Sequence, residues 1–173
     1  MVEFFRYCPN CRAELGPYQD YKRVCPECGR EHYENVAATA CLLILDENDR
    51  VLLARRSVEP YKGTYDIPGG FAEPLETVRE CVLREVKEET GLTSIDILDY
   101  LGSFPDRYGE TGEYTLNIVY VGRLRSGQPK ANDDISTIAW YDLDKLPNVD
   151  DGPPNTRHAL EALIEWHKRK LSL

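Results

Sequence analysis

The stretch Gly69–Leu92, GGFAEPLETVRECVLREVKEETGL, decides how the rest of the chain is read. Its apolar spacing predicts a helix from Leu75 to Thr90, with Val78 and Val82 on one stripe. The next positions of that stripe, Glu85 and Glu89, are acidic. Glu88 follows Glu85 by three positions, so three carboxylates are expected within roughly a 100° arc at the C-terminal end of the helix. That end carries the negative pole of the helix dipole, and like charges one turn apart repel, so the cluster calls for a cation. Oxygen ligands suit hard divalent ions, Mg²⁺ above all, which is held by a few carboxylates together with water and phosphate. Gly69 and Gly70 precede the helix, where the backbone must turn or pass close to another group.

These residues resemble the signature of the Nudix hydrolases, G-x5-E-x7-R-E-U-x-E-E-x-G-U with U aliphatic. Gly70, Glu76, Arg84, Glu85, Val86, Glu88, Glu89, Gly91 and Leu92 fill it without a gap. The resemblance implies that Glu85, Glu88 and Glu89 hold Mg²⁺ or Mn²⁺ with the Gly70 carbonyl. It implies Glu85 as general base, Arg84 as the group that orients it, and Glu76 as a supporting glutamate. It also implies an α/β chain in the Nudix fold, a mixed β-sheet between helices, covering residues 35–173. A further acidic ligand from a later loop is a family feature, a glutamate at a set distance before a tryptophan. Asp134 stands six residues before Trp140 and is the candidate, with Asp133, Glu110 and Glu113 as alternatives.

The first 34 residues have a different character. Cys8, Cys11, Cys25 and Cys28 form CPNC and CPEC separated by 13 residues, the paired-knuckle spacing of four-thiolate zinc sites. So short a segment cannot bury enough apolar surface to fold alone, and a tetrahedral Zn²⁺ would supply the missing stability. Four thiolates leave no open coordination position, so this metal is expected to be structural. Two disulfides or a redox pair are the competing readings; a reducing compartment opposes the first, and the lack of a strand-helix setting opposes the second. Cys41, in an apolar strand-like run, and Cys81, within the helix, read as small buried hydrophobes. A zinc ribbon over 1–34 and a Nudix domain over 35–173 follow.

Composition sets limits. The chain has 173 residues, 42% of them hydrophobic and 29% charged, with a net charge of −9. That suits one substantial core plus a small module and disfavours a nucleic-acid partner, which needs a basic face. In the first 34 residues Arg6, Arg12, Lys22, Arg23 and Arg30 are met by Glu3, Glu14, Asp20, Glu27, Glu31 and Glu34, so the ribbon is not basic. The longest apolar run ends at Asp46 and the N-terminus has no signal-peptide pattern, so no membrane span and a cytoplasmic location are expected. A homodimer is left open. Strands are expected at Ala37–Leu45 and Val51–Ala54 around a turn at Asp46–Arg50, then at Ile95–Ser103, Glu113–Leu124 and Ile135–Tyr141. A second helix is expected over Asn155–Lys170, packing through Leu160, Leu163, Ile164 and Trp166.

For substrate, Arg55 and Arg56 are candidates to clamp a diphosphate, and Tyr65 and Tyr108 to stack on a base. The expected reaction is hydrolysis of a nucleoside diphosphate linked to another moiety, ADP-ribose or FAD first. NADH is the alternative, weakened because the SQPWPFPxS array of NADH pyrophosphatases is missing after the signature. Pro105 is the counterpart of the proline that follows the signature in ADP-ribose hydrolases, at a shorter spacing. A nucleotide-sensing or RNA-binding regulator is the reading from another class, and a broken signature would have favoured it.

Overall fold

In a computed structural model, which describes residues 6–109 and 112–172, strand β3 (Ala37–Leu45) runs through the centre of a mixed sheet with both faces covered. That is why its sequence is a continuous apolar run rather than an alternation. Cys41, Leu43 and Leu45 join one core with Leu160, Leu163 and Trp166 of the C-terminal helix. Ala40, Leu42 and Ile44 join the other with Cys81, Val82 and Val86 of the signature helix. A period of two along one strand thus serves two helices. Each fully buried Leu or Val here contributes about 1.5–3 kcal/mol.

In chain order the elements are β1 (Lys22–Val24), β2 (Glu31–Tyr33), β3, β4 (Val51–Arg56), β5 (Tyr65–Asp66), β6 (Gly69–Phe71), α1 (Val78–Thr90), β7 (Ser94–Arg107), β8 (Tyr114–Ser126), β9 (Ile135–Tyr141) and α2 (Pro154–Leu171). Among the described residues the large sheet has the order β5-β4-β3-β8-β7, with β6 also on β3 and β9 also on β4. Only β3 and β8 run parallel, in register from Ala37↔Thr115 to Leu45↔Arg123. The expected turn at Asp46–Arg50 forms, because the Asp46 carboxylate accepts the N–H groups of Asn48 and Arg50, both at 2.9 Å. The hairpin it closes is short, with Leu45 opposite Val51 as its register pair; β4 then turns away to join β9, and β3 continues beside β6 and β8.

The signature helix starts later than its apolar spacing suggests. Thr77 caps it: its hydroxyl accepts the Glu80 N–H while the Glu80 carboxylate accepts the Thr77 N–H, a capping box. Leu75 lies before the cap with φ 70 and is fully exposed, so it belongs to the approach and not to the helix. The T-x-x-E signal at Thr77–Glu80 was available in the sequence and outweighs hydrophobic periodicity at a boundary. Gly91 closes the helix in the left-handed region (φ 71), its N–H donating to the Lys87 carbonyl.

Two buried polar side chains cross the parallel pair. Thr39 and Asn117 are register partners; the Thr39 hydroxyl donates to Asn117 Oδ1 at 2.6 Å, and Asn117 Nδ2 donates to the Phe104 carbonyl and to Thr115 Oγ1, each at 3.2 Å. Thr39→Val keeps the shape and removes the donor, leaving a buried amide oxygen unpaired. We expect a loss of about 1–3 kcal/mol in urea unfolding; a loss under about 0.5 kcal/mol would mean that the bond adds nothing net.

The chain divides into two compact units, Met1–Val36 and Ala37–Leu173. In the first, β1 and β2 pair antiparallel with Lys22 opposite Tyr33. Among its described residues the buried apolar ones are Cys8, Leu15 and Cys25, with Ala13 packed against them. No helix among the described residues is long and apolar enough to cross a membrane.

Candidate active site and cysteine cluster

A cavity of about 220 Å³ opens in the second unit where α1, β6 and the start of α2 approach one another. The signature supplies one wall. Arg84 on α1 is its hub: Nε and Nη2 grip the two oxygens of Glu76, both at 2.9 Å, and Nη1 donates to Glu85 Oε1 at 2.7 Å and to Glu88 Oε2 at 3.2 Å. Nη2 also reaches the Phe71 carbonyl at 3.0 Å, tying the helix to β6. A guanidinium in this fork holds the Glu76 carboxyl down at about 2. Glu76 therefore anchors Arg84 and does not line the cavity.

Glu85 and Glu89 both line the cavity, while Glu88 is turned to solvent. Helix geometry explains the division: Glu88 and Glu89 lie about 100° apart, on opposite sides of Glu85, and only one side of that arc faces the cavity. Burial pushes the Glu89 carboxyl up to about 8, against the Gly69 N–H that donates to it at 2.9 Å, and the nearby Asp66, Glu85 and Asp134 push it the same way. Burial also raises Glu85, with Arg84 opposing. A Cβ on Gly70 would fall 2.5 Å from the Glu85 carboxylate, so a side chain there would push aside the carboxylate that Arg84 holds. Gly69 has φ +154, and a Cβ on it would meet the Ala40 carbonyl at 2.2 Å.

The other expected residues divide. Asp134 and Asp133 both line the cavity; Glu113 does not, and Glu110 lies outside the described residues. Arg56 and Tyr108 line it too. Arg56 donates to Asp66 at 2.9 Å, to the Pro60 carbonyl at 2.7 Å and to the Tyr108 hydroxyl at 3.3 Å. Tyr108 meets Phe71 edge-to-face, with ring centroids 5.4 Å apart. Arg55 and Tyr65 are not brought to the cavity. They stack on each other instead, the guanidinium 4.0 Å from the ring centroid, with Arg55 donating to the Gly63 carbonyl and Tyr65 accepting from Tyr141 at 3.0 Å. Successive side chains of a strand point to opposite faces, so Arg55 and Arg56 could not both face one cavity.

Several lining residues escape a reading by signature. Asp66 precedes the double glycine and accepts from Arg56 and from the Thr156 hydroxyl at 3.0 Å. Thr39 and Asn117 form part of the floor; their signal was a polar residue inside an otherwise apolar strand. Asp106 and Asn155 line the side nearest α2 and carried no motif. Cys41 also touches the cavity, but burial raises its thiol well above the usual range, and burial pushes Cys81 up to about 11. Both remain protonated and packed, as expected of small hydrophobes.

In the first unit the Sγ atoms of Cys8, Cys11, Cys25 and Cys28 all lie within 4.8 Å of one another, an arrangement able to hold a metal ion. The two knuckles repeat one local design. Cys8 and Cys25 each accept at their carbonyl the N–H four residues on, from Arg12 and Gly29, and those residues sit at φ 65 and φ 68. His32 brings Nε2 to 3.3 Å from Cys8 Sγ, a neighbour that spacing alone did not reveal.

A family model described as the NUDIX domain matches residues 35–163. The chain is 39% identical over 108 residues to an ADP-ribose pyrophosphatase of Methanocaldococcus jannaschii, covering 61% of this chain and 62% of that protein. It is 33% identical over 166 residues to the NAD-capped RNA hydrolase NudC of Pseudomonas aeruginosa, covering 92% of this chain and 55% of that one. The chain thus spans between about half and two thirds of the length of these curated relatives. Among solved structures, a MutT NUDIX hydrolase from Burkholderia pseudomallei superposes with a TM-score of 0.64 at 29% identity, over 75% of this chain and 98% of that one. The signature carried by β6 and α1 falls inside the matched region, and the mixed sheet between two helices is shared with that structure: this chain belongs to the Nudix family.

Proposed function

We propose that the Ala37–Leu173 unit hydrolyses the diphosphate of a nucleoside diphosphate linked to another moiety, with ADP-ribose as the first substrate to expect. The observation that carries this is the pair Glu85 and Glu89 on one cavity wall, backed by Arg84 and facing Asp66 and Asp134. Such a set of oxygen donors, in which Asp66, Glu85 and Asp134 add to the burial that raises Glu89, fits a hard divalent cation. Glu85, Glu89, Asp134 and the Gly70 carbonyl would hold Mg²⁺ or Mn²⁺, with Glu88 nearer solvent as a further ligand. Bound there, the metal supplies charge neutralisation at the phosphoryl oxygens and a lowered pKa for water. Glu85, as general base, takes the proton from the attacking water, and Arg84 fixes which of its oxygens faces the cavity. Arg56 carries the positive charge on the opposite side, suited to a phosphate oxygen.

The relative named ADP-ribose pyrophosphatase supports this substrate. The NAD(H) reading is supported by the likeness to NudC, which runs through both units of this chain. It also places NAD-capped RNA among the substrates to test, although a net charge of −9 argues against affinity for RNA at large.

For the first unit we propose a structural zinc ribbon. A tetrahedral four-thiolate zinc with bonds of about 2.3 Å has sulfur–sulfur edges of about 3.8 Å. Cys8–Cys28 and Cys11–Cys25 stand at 3.7 and 3.4 Å, near those edges and far from a disulfide bond. Purified protein assayed on ADP-ribose, FAD, NADH, NAD-capped RNA, dinucleoside polyphosphates and nucleoside triphosphates, with and without EDTA, tests the function. ADP-ribose hydrolysis abolished by EDTA is the expected result. Absence of metal-dependent turnover on every substrate would refute the hydrolase reading.

A further inference from the structure

We propose that Asn155, Asp106 and Thr115 form a subsite for the vicinal hydroxyls of a neutral sugar on the substrate. The proposal rests on the hydrolase reading above and names the part of the substrate that this side of the cavity reads.

Asn155 is the second residue of α2 and is only 6% exposed, yet among the described residues its side-chain amide has no hydrogen-bond partner. It lines the cavity. Its amide atoms are not sealed off but open onto the cavity, where their free donors and acceptor are available to a ligand. Its backbone N–H is engaged, donating to Asp106 Oδ2 at 3.3 Å. The start of α2 gives no substitute partner, since its cap is Pro153 and no side chain caps it.

Asp106 and Thr115 stand beside each other as register partners of β7 and β8, and both line the cavity. The Asp106 carboxylate accepts the Arg107 N–H at 2.6 Å and the Asn155 N–H, and keeps acceptor capacity for two further donors. Thr115 is 3% exposed; its hydroxyl accepts from Asn117 Nδ2 and, among the described residues, has no acceptor for its own hydrogen. The subsite thus offers an anionic acceptor, an amide able to give and to take, and one hydroxyl donor.

The charges decide the ligand class. A helix N-terminus by itself favours an anion, but the Asp106 carboxylate already accepts the Asn155 N–H at this one, and the neighbouring Arg107 guanidinium is engaged with the Gly112 carbonyl and the Tyr114 ring, so a neutral hydroxyl ligand is favoured there over a phosphate. A vicinal diol fits: its hydroxyls donate to Asp106 and to the Asn155 oxygen, and accept from the Asn155 amide and Thr115. A site built to bond hydroxyls discriminates against an analogue that lacks one, because its own buried groups are then left unpaired.

The test compares ribose 5-phosphate with 2-deoxyribose 5-phosphate by isothermal titration in the presence of Mg²⁺, on wild type, Asn155→Ala and Thr115→Val. Wild type should prefer the ribose compound by about tenfold, and both variants should bind the two compounds alike. In steady state, Asn155→Ala should raise KM for ADP-ribose about tenfold with little change in kcat, and leave KM for the 2-deoxyribose analogue unchanged. Equal weakening toward both sugars would overturn the subsite and mark Asn155 as a packing residue. A KM rise confined to NADH would overturn it in favour of carboxamide recognition. The titration needs no turnover, so sugar discrimination in a protein that hydrolyses nothing would refute the hydrolase reading and keep the subsite.

Discussion

Glu85→Gln and Glu89→Gln each lower kcat by at least about 10²-fold, the usual scale for lost acid–base or electrostatic catalysis. The two losses should differ in kind. Glu85 is held by Arg84 and is the proposed base, so its amide cannot take the proton of the attacking water whatever the pH. Glu89 accepts the Gly69 N–H, a bond that a glutamine oxygen keeps, so its substitution removes charge without disturbing β6. Glu76→Gln should cost less, since Glu76 acts on the cavity only through Arg84.

The same substitution should raise stability when the protein is stripped of metal. Burial pushes the Glu89 carboxyl from the ordinary 4.5 up to about 8. Below the lower value both folded and unfolded chains are protonated there and the group contributes nothing. Between the two, the unfolded chain has released its proton and the folded one retains it, so the unfolded state binds fewer protons and stability falls as pH rises. Chelated Glu89→Gln should therefore melt above chelated wild type at neutral pH, with the gap closing toward pH 4.5. Glu85→Gln that kept near-native turnover while changing only the melting temperature would remove Glu85 as the base.

The wall of the cavity that the signature supplies was legible because its information is local. Gly70 lies on β6, Glu76 just before the cap of α1, and Arg84, Glu85 and Glu89 on the helix itself, all within one short stretch of sequence in which helical spacing orders the last three. Even there, periodicity overran the start of α1, since a capping box and not the apolar stripe sets a helix boundary. The strands could be read from apolar runs, but their partners could not. That β3 lies parallel to β8 and β4 leaves it after a single pair depends on contacts between segments far apart in sequence. Asp66, Asn117, Asp106 and Asn155 reach the cavity from β5, β8, β7 and α2 only through that pairing. Neighbouring residues on one strand gave the opposite error: Arg55 and Arg56 look alike in sequence, and pleating sends one to the cavity and the other to Tyr65.

The two metals should part under mild chelation. Oxygen ligands on α1 imply a weak, exchangeable divalent ion, whereas four thiolates imply one tightly held zinc per chain. Dialysis against dilute EDTA should abolish activity, with restoration by Mg²⁺ or Mn²⁺, and leave zinc in place by elemental analysis. Cys25→Ser should release the zinc and unfold the first unit, because Cys25 is one of the three buried apolar residues among those described there, and Leu15 with Ala13 gives little core to fall back on. Hydrogen exchange over residues 6–36 should then approach the unprotected rate. The second unit carries two apolar clusters of its own, and its amides should stay protected in the same sample. Zinc-free protein in a freshly prepared, reduced sample would remove the ribbon. Loss of turnover in Cys25→Ser with the second unit still protected would give the ribbon a part in substrate binding or in dimerisation, since four thiolates leave zinc no open position from which to act on the diphosphate.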